Sequence, residues 1–101
     1  MKILALERDI VGATETDFQP HLKAEARRGW ELQQAGIIRE LYFRDDQTSA
    51  VLVLECASLE EARNVLATLP LVQAGLVEFE LIPLRAYPGF ARLFSSEGPD
   101  S

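Results

Sequence analysis

Three polar residues in the first half of the chain are of types that move protons or bind organic acids: His21, Glu25 and Arg39. His21 and Glu25 are four residues apart, which puts them on adjacent turns of one helix face, and such a histidine–carboxylate pair can shuttle protons near neutral pH. Strand alternation over residues 37–43 puts Arg39 on the same face as three apolar side chains, turned towards the helices. A guanidinium there needs an acidic partner or an anionic ligand, and its planar fork suits the carboxylate of a small organic acid.

Each of these residues also has a purely structural interpretation. Glu25 could be a surface helix glutamate paired with Arg28 or Arg39. Arg39 could form a buried ion pair with Glu25 or Glu7, or could lie at an interface between copies if the strand has the opposite parity. His21 could be a partly exposed helix residue without a role in chemistry. Both interpretations remain open from the sequence.

Two aromatic residues near the acid–base candidates could bind a flat substrate. Trp30 lies in the predicted first helix and Tyr42 in the predicted second strand, and either could line a pocket for an aromatic ring or a lactone. Packing in the core or at an interface is the alternative for both side chains.

The composition restricts the classes of function. A chain of 101 residues, 48% hydrophobic and 26% charged, is typical of one soluble globular domain. A net charge of −6 argues against nucleic acid as a partner. With one cysteine, Cys56, and one histidine, neither a disulfide nor a dedicated metal site is expected. No apolar stretch reaches membrane-spanning length and no signal peptide is recognisable, so the predicted location is the cytoplasm.

The elements that must position these residues follow the order β-α-β-β-α-β. Alternating or apolar β-rich segments at 1–9, 37–44, 49–56 and 76–84 enclose helical patterns at 18–35 and 58–69. The helical patterns begin near Thr16 or Asp17 and at Ser58, and Gly36 is a predicted stop. The order predicts a ferredoxin-like α+β domain over residues 1–88, a four-stranded antiparallel sheet with two helices on one face.

Two features predict self-association. The third strand is apolar on both faces, so the side of the sheet without helices should be covered as well. The tail, residues 89–101, is apolar and then polar. With Tyr87 it would form an aromatic patch larger than a monomeric protein usually exposes to water. We expect a homodimer packed sheet to sheet as an α+β barrel, or a higher homo-oligomer, with the tail at a contact.

Four short motifs follow one another along the chain: Leu-Gln-x-x-Gly at 32–36, Arg-x-Leu-aromatic at 39–42, Leu-Pro-Leu at 69–71 and Glu-x-x-Pro-Leu at 80–84. In this order they resemble the muconolactone isomerase family of dimeric α+β barrel proteins, and the resemblance extends from Leu22 to Pro88. It implies a cofactor-free isomerisation in aromatic compound catabolism, in which a proton moves between two carbons of an unsaturated lactone. Glu25 falls at an acidic position of the pattern. Tyr87 stands where the family usually has histidine, and could donate a hydrogen bond at the pocket mouth or anchor the tail.

The functional prediction is therefore a small cofactor-free isomerase acting on an unsaturated lactone or carboxylic acid by proton transfer. Its catalytic candidates are Glu25 and His21, and its substrate-binding candidates are Arg39, Trp30, Tyr42 and Tyr87. The predicted partners are a small organic acid or lactone and further copies of the chain, with neither nucleic acid nor a membrane. The alternative is a cofactor-independent monooxygenase or a non-catalytic ligand-binding protein on the same scaffold.

Overall fold

The computed structural model of the protein describes residues 1–95 and contains the predicted order of elements. The strands are β1 (Lys2–Asp9), β2 (Ile38–Phe43), β3 (Ala50–Glu55) and β4 (Val77–Leu84). The helices are α1 (Glu15–Phe18), α2 (Leu22–Gln34), α3 (Leu59–Leu66) and α4 (Pro70–Gln73). A 3₁₀ turn at Gln19–His21 joins α1 to α2, and a second 3₁₀ segment, Gly89–Phe94, follows β4.

The four strands form one antiparallel sheet in the order β2-β3-β1-β4. On the helix-facing side Ile3 and Ala5 of β1 pair with Leu54 and Leu52 of β3, and all four are buried. Leu32 of α2 is buried in the same core. The predicted ferredoxin-like α+β architecture is confirmed.

Capping residues and a glycine mark the helix ends, and the first helical region begins earlier than predicted. The first helical region begins after Thr14 and not at Thr16 or Asp17, because the Thr14 N–H donates to the Asp17 carboxylate at 2.9 Å. Gly36, with φ of +78°, ends α2 in the left-handed region that glycine adopts most easily. The Ser58 hydroxyl accepts from the Glu61 N–H at 3.1 Å, as the predicted capping box requires.

A β-bulge in β2 overturns the predicted alternation around Arg39. Ile38 pairs with Leu54, but the next residue in register, paired with Val53, is Glu40. Arg39 is the extra residue, and the alternation that put Ile37, Arg39, Leu41 and Phe43 on one face is therefore wrong. Ile38, Leu41 and Phe43 share the helix-facing side, opposite Leu54, Leu52 and Ala50. Arg39 is exposed, and its Nε donates to the carbonyl oxygen of Gly36.

The side of the sheet without helices is apolar at its centre. Half-buried aliphatic side chains occupy it, from Leu4 and Leu6 of β1, Val51 and Val53 of β3, and Ile82 of β4. No helix of residues 1–95 packs over these side chains.

The segment after β4 leaves the body of the domain. The radius of gyration is 17.6 Å, whereas a compact chain of this length has about 13 Å. The Tyr87 ring meets Phe90 edge-on with centroids 4.9 Å apart, and Gly89 leaves room for that ring because a Cβ there would clash with it. Phe90, Leu93 and Phe94 are largely exposed. Residues 96–101 of the predicted tail lie outside the described residues.

Candidate functional site

An open cavity of about 840 Å³ lies between the α1–α2 region and the helix-facing side of the sheet. Its walls are mostly apolar side chains from both layers, including Phe18, Leu22, Ile38, Leu41, Phe43 and Phe79. The volume is in the range of small-molecule sites, and an apolar wall with a few polar groups is their usual composition. The charged side chains that line this cavity are all carboxylates.

Glu25 reaches the cavity from the first turn of α2. Its Oε1 accepts a hydrogen bond from the backbone N–H of Leu71 at 2.9 Å. That N–H lies in the first turn of α4, after Pro70, where no intrahelical acceptor is available. Burial raises the pKa of Glu25, and it outweighs the Leu71 hydrogen bond and the nearby His21, which both lower it. Glu25 is therefore a half-buried carboxyl group at the margin of the cavity.

Glu7 is a second half-buried carboxylate in the same cavity. It stands on β1 in the helix-facing row of Ile3 and Ala5, and its Oε1 accepts from the Ala50 N–H at 3.0 Å. Burial raises the pKa of Glu7. The Ala50 hydrogen bond opposes that effect, and the negative charges of Glu25 and Asp9 add to it.

From the sequence, Glu7 is expected only as a possible partner for Arg39. The signal that would have identified it is the alternation of β1, where an acid at position 7 continues a buried apolar row. A charged carboxylate in such a row is costly to bury, as an arginine would be, unless it has a hydrogen-bond partner or is protonated.

Burial raises the pKa of both carboxyl groups, but the charges around them differ. The negative charges of Glu25 and Asp9 raise the pKa of Glu7 further, whereas His21 lowers that of Glu25. For each glutamate only one oxygen is bonded to the described part of the chain, which leaves the other for solvent or a ligand. Two half-buried carboxyl groups beside one cavity can donate a proton to a bound molecule or accept one from it.

Two further candidates lie at or next to the cavity. Tyr42 is among the residues that line the cavity, but its pairing with Val51 places it on the side of β2 without helices. Its hydroxyl donates to Glu40 at 2.8 Å, which raises the pKa of the phenol. His21 is half-buried at the end of the 3₁₀ turn and acts on Glu25 electrostatically, but it does not line the cavity.

The remaining three candidates do not line the cavity. Arg39 lies on the bulge, and its Nε donates to the carbonyl oxygen of Gly36. The pKa of Glu55 is lowered mainly by the hydrogen bond from the Met1 ammonium group, and the charge of Arg39 adds to that effect. Trp30 is 62% exposed because the cavity-facing row of α2 includes Gly29, and the next residue is turned about 100° away. Tyr87 is 65% exposed and contacts Phe90 in the segment beyond β4.

Neither of two other types of site is present in residues 1–95. No cluster of three or more histidine, cysteine or acidic side chains there is arranged to hold a metal ion. No helix in that part of the chain is long and apolar enough to span a membrane.

The raised pKa values of Glu7 and Glu25 predict a contribution to stability that falls as pH rises. The folded protein keeps these protons to a higher pH than the unfolded chain, whose glutamates titrate near 4.5. The contribution is complete below that value and is lost as pH rises through the folded-state pKa values. We expect the free energy of unfolding of the wild type minus that of Glu7→Gln, measured with urea from acid to neutral pH, to decrease as pH rises.

Glu60→Gln controls for the loss of one negative charge, because Glu60 is exposed and outside the cavity. Its unfolding curve should follow that of the wild type. A Glu7→Gln protein whose stability has the wild-type pH dependence would contradict the assignment of Glu7 as a carboxyl destabilised by burial.

These features define a class: a small ferredoxin-like α+β protein with a carboxylate pair in an apolar cavity. Residues 11–89 match the protein family described as muconolactone delta-isomerase. Because the match extends over well over half of the sequence, the chain belongs to the muconolactone delta-isomerase family, as the ordered motifs predicted.

Two solved structures share the fold. A crystal structure of muconolactone isomerase at 3.3 Å resolution superimposes with a TM-score of 0.72 at 19% identity, covering 100% of both chains. The 5-chloro-2-hydroxyhydroquinone dehydrochlorinase of Burkholderia phenoliruptrix AC1100, in complex with 2,5-dihydroxybenzoquinone, superimposes with a TM-score of 0.61 at 19% identity. It covers 88% of this chain and 98% of the dehydrochlorinase. No curated protein sequence matches the chain significantly.

Proposed function

We propose that the protein is a small cofactor-free isomerase that moves a proton between two carbons of an unsaturated lactone or carboxylic acid. The observation that carries the proposal is the pair of half-buried carboxyl groups, Glu7 and Glu25, in one apolar cavity. Membership of the muconolactone delta-isomerase family supports an isomerase-like reaction, and burial of the pair supplies the raised pKa that a general base needs near neutral pH.

In this proposal Glu25 is the base and Glu7 the acid. Glu25, favoured in its ionised form by His21, takes a proton from the carbon next to the carbonyl and returns it to the other end of the conjugated system. Glu7, kept protonated by burial and by the charges of Glu25 and Asp9, donates a hydrogen bond to the carbonyl oxygen as negative charge develops there. The two backbone hydrogen bonds, from Ala50 and Leu71, hold the carboxyl groups in place.

The proposed substrate is a small unsaturated ring compound from the catabolism of aromatic compounds. The two solved neighbours are a muconolactone isomerase and a dehydrochlorinase complexed with a dihydroxybenzoquinone, so both have a small oxidised ring as substrate or ligand. Tyr42 is a candidate contact at the rim. Arg39, Trp30 and Tyr87 remain candidate contacts only in an assembly that brings them to a cavity, because within one chain they are outside it.

The acidic lining favours the isomerase over the alternative functions. A cofactor-independent oxygenase for aromatic compounds would be expected to have Trp30 in the wall and few ionisable groups, whereas Trp30 is exposed and four acids line the cavity. In a non-catalytic protein on the same fold, two half-buried carboxyl groups beside a cavity would cost stability without serving a function.

We also propose that the protein works as a homodimer, packed sheet to sheet, or as a higher homo-oligomer in the cytoplasm. The support is the apolar side of the sheet without helices, together with the exposed aromatic side chains after β4. A partner sheet would cover the apolar face, and a contact with another copy would remove the aromatic side chains from water.

The test of the reaction is a screen of small unsaturated lactones in deuterium oxide, followed by proton NMR. A substrate should shift its double bond and acquire deuterium at the carbon that is reprotonated, because a carboxyl group exchanges its proton with solvent. No isomerisation and no deuterium incorporation across butenolides with and without a carboxylate side chain would refute the proposed reaction.

A further inference from the structure

Phe79 of β4 lies at the boundary between two hollows on the helix-facing side of the sheet. It lines the cavity of about 840 Å³ that contains Glu7 and Glu25. It also lines a groove of about 120 Å³ between α3 and β4, whose other wall residues are Arg63, Leu66, Ala67, Val72 and Leu81. Among the described residues, Phe79 is the one that the two linings share.

The end of α3 and the short helix α4 follow the same boundary. Leu69 and Leu71 line the cavity, whereas Leu66, Ala67 and Val72 line the groove. Leu66, Leu69 and Leu71 are buried, so the backbone that carries them is held by the core. The hollows are therefore separated by this backbone on the helix side and by the Phe79 side chain on the sheet side.

Phe79 is also the neighbour of one of the two carboxyl groups. In the pairing of β4 with β1 it lies directly opposite Glu7, and residues in such a pair share one face with their Cβ atoms about 5 Å apart. The Phe79 side chain is half-buried and packs against the hydrophobic core. A ring bound with its carbonyl at Glu7 would therefore have Phe79 beside it, and a substituent on that side would extend towards Phe79.

The wall that Phe79 forms is one side chain thick, and the groove behind it is mostly aliphatic. The single charged side chain of that groove, Arg63, is exposed. An alkyl chain suits such a groove, because it gains free energy from leaving water and has no polar atom that would lose a hydrogen bond. With Phe79 in place, a chain that reaches the wall must displace a packed ring, which costs free energy.

We propose that Phe79 is a specificity-determining residue that limits the ligand to a ring with a short substituent, by separating the cavity from the groove beside α3. This inference rests on the proposed function only in taking this cavity as the substrate site. A smaller side chain at position 79 joins the two hollows. A ligand with a longer alkyl chain then keeps its ring at the carboxyl groups and places the chain in the groove.

The test is equilibrium binding of butenolides that carry a methyl, propyl, pentyl or heptyl chain on the ring carbon next to the ring oxygen, followed by protein NMR. Wild-type affinity should stop rising at the chain length that reaches Phe79. In Phe79→Ala it should continue to rise, by about fourfold for each methylene buried in the groove, with shifts of the Ala67 and Val72 amide signals. If the alanine variant does not fold, Phe79→Val makes the same comparison with a residue that favours strands.

Two further variants separate the loss of the wall from the loss of packing. Leu81→Ala shortens a side chain on the same face of β4 that lines the groove but not the cavity, so its dependence on chain length should be that of the wild type. Adding Ala67→Phe to Phe79→Ala fills the groove, and it should abolish the gain in affinity of the longer chains.

The same dependence on chain length in the wild type and Phe79→Ala, a gain that persists after Ala67→Phe, or no binding of any of these lactones at millimolar concentration would overturn the inference. The assay needs no turnover, so its result is separate from that of the lactone screen. The expected dependence on chain length without isomerisation of any lactone would refute the proposed reaction alone. Isomerisation of a lactone, with no difference between the wild type and Phe79→Ala in chain-length dependence, would refute the role of Phe79 alone.

Discussion

Glu25→Gln is expected to lower kcat by about two to four orders of magnitude on any lactone that the wild-type protein isomerises. The amide oxygen can still accept the hydrogen bond of the Leu71 N–H, so the contact between α2 and α4 is retained. The amide cannot take up a proton, and a reaction that needs a base at this position therefore stops. KM should change much less than kcat, because the shape of the cavity is kept.

The matched control for this substitution is Glu31→Gln. Glu31 lies on the same helix, is exposed and forms an ion pair with Arg28 at 3.3 Å, so its neutralisation changes the charge of α2 without reaching the cavity. Its kcat should equal that of the wild type. A Glu25→Gln protein with undiminished kcat would exclude Glu25 as the base, and a loss confined to Glu7→Gln would give the role to Glu7.

The second large effect is expected in the assembly. Replacing both Leu93 and Phe94 by serine should weaken self-association by about 3–6 kcal/mol, or about two to four orders of magnitude in the dissociation constant. Phe94 is 88% exposed within one chain and Leu93 69%, so they add little to the stability of a monomer. Their burial against a partner would account for these apolar side chains in an otherwise acidic chain. Sedimentation velocity over a concentration series measures the change.

Val11→Ser is the control for the loss of surface hydrophobicity. Val11 is fully exposed in the turn between β1 and α1, at the opposite end of the chain from the aromatic segment. Its substitution should leave the sedimentation profile unchanged. A wild-type protein that stays monomeric at high concentration, or a double variant that associates as the wild type does, would contradict the proposed role of the segment after β4.

The sequence determined the order of elements because each one is specified by neighbouring residues. Ser58 and Glu61 cap α3 through bonds that span three positions, and Gly36 ends α2 because glycine adopts its positive φ without steric cost. The alternation of β1 and β4 defines which side of the sheet faces the core. Such signals depend on a few consecutive residues, and they were sufficient for the fold and, with the ordered motifs, for the family.

The position of Glu25 was also accessible from the sequence, because its spacing from Leu22 and Ala26 on one helix fixes its direction relative to the apolar stripe. The hydrogen bond that Glu25 accepts from the Leu71 N–H could not be predicted, because the two residues are 46 positions apart in the chain. The pairing of Glu25 with Glu7 is likewise a contact between a helix and a strand far apart in the chain.

Arg39 shows what only the tertiary structure decided. Read as a regular strand, the sequence puts this arginine among the apolar side chains, but a bulge between Ile38 and Glu40 shifts the register by one residue and turns Arg39 outward. A bulge depends on how β2 pairs with β3, and pairing is a property of two strands and not of one pattern. The sequence therefore determined which residues could do chemistry and on which elements they lie. The packing of the sheet and helices decided that Glu7 and Glu25 line one cavity and that Arg39 does not.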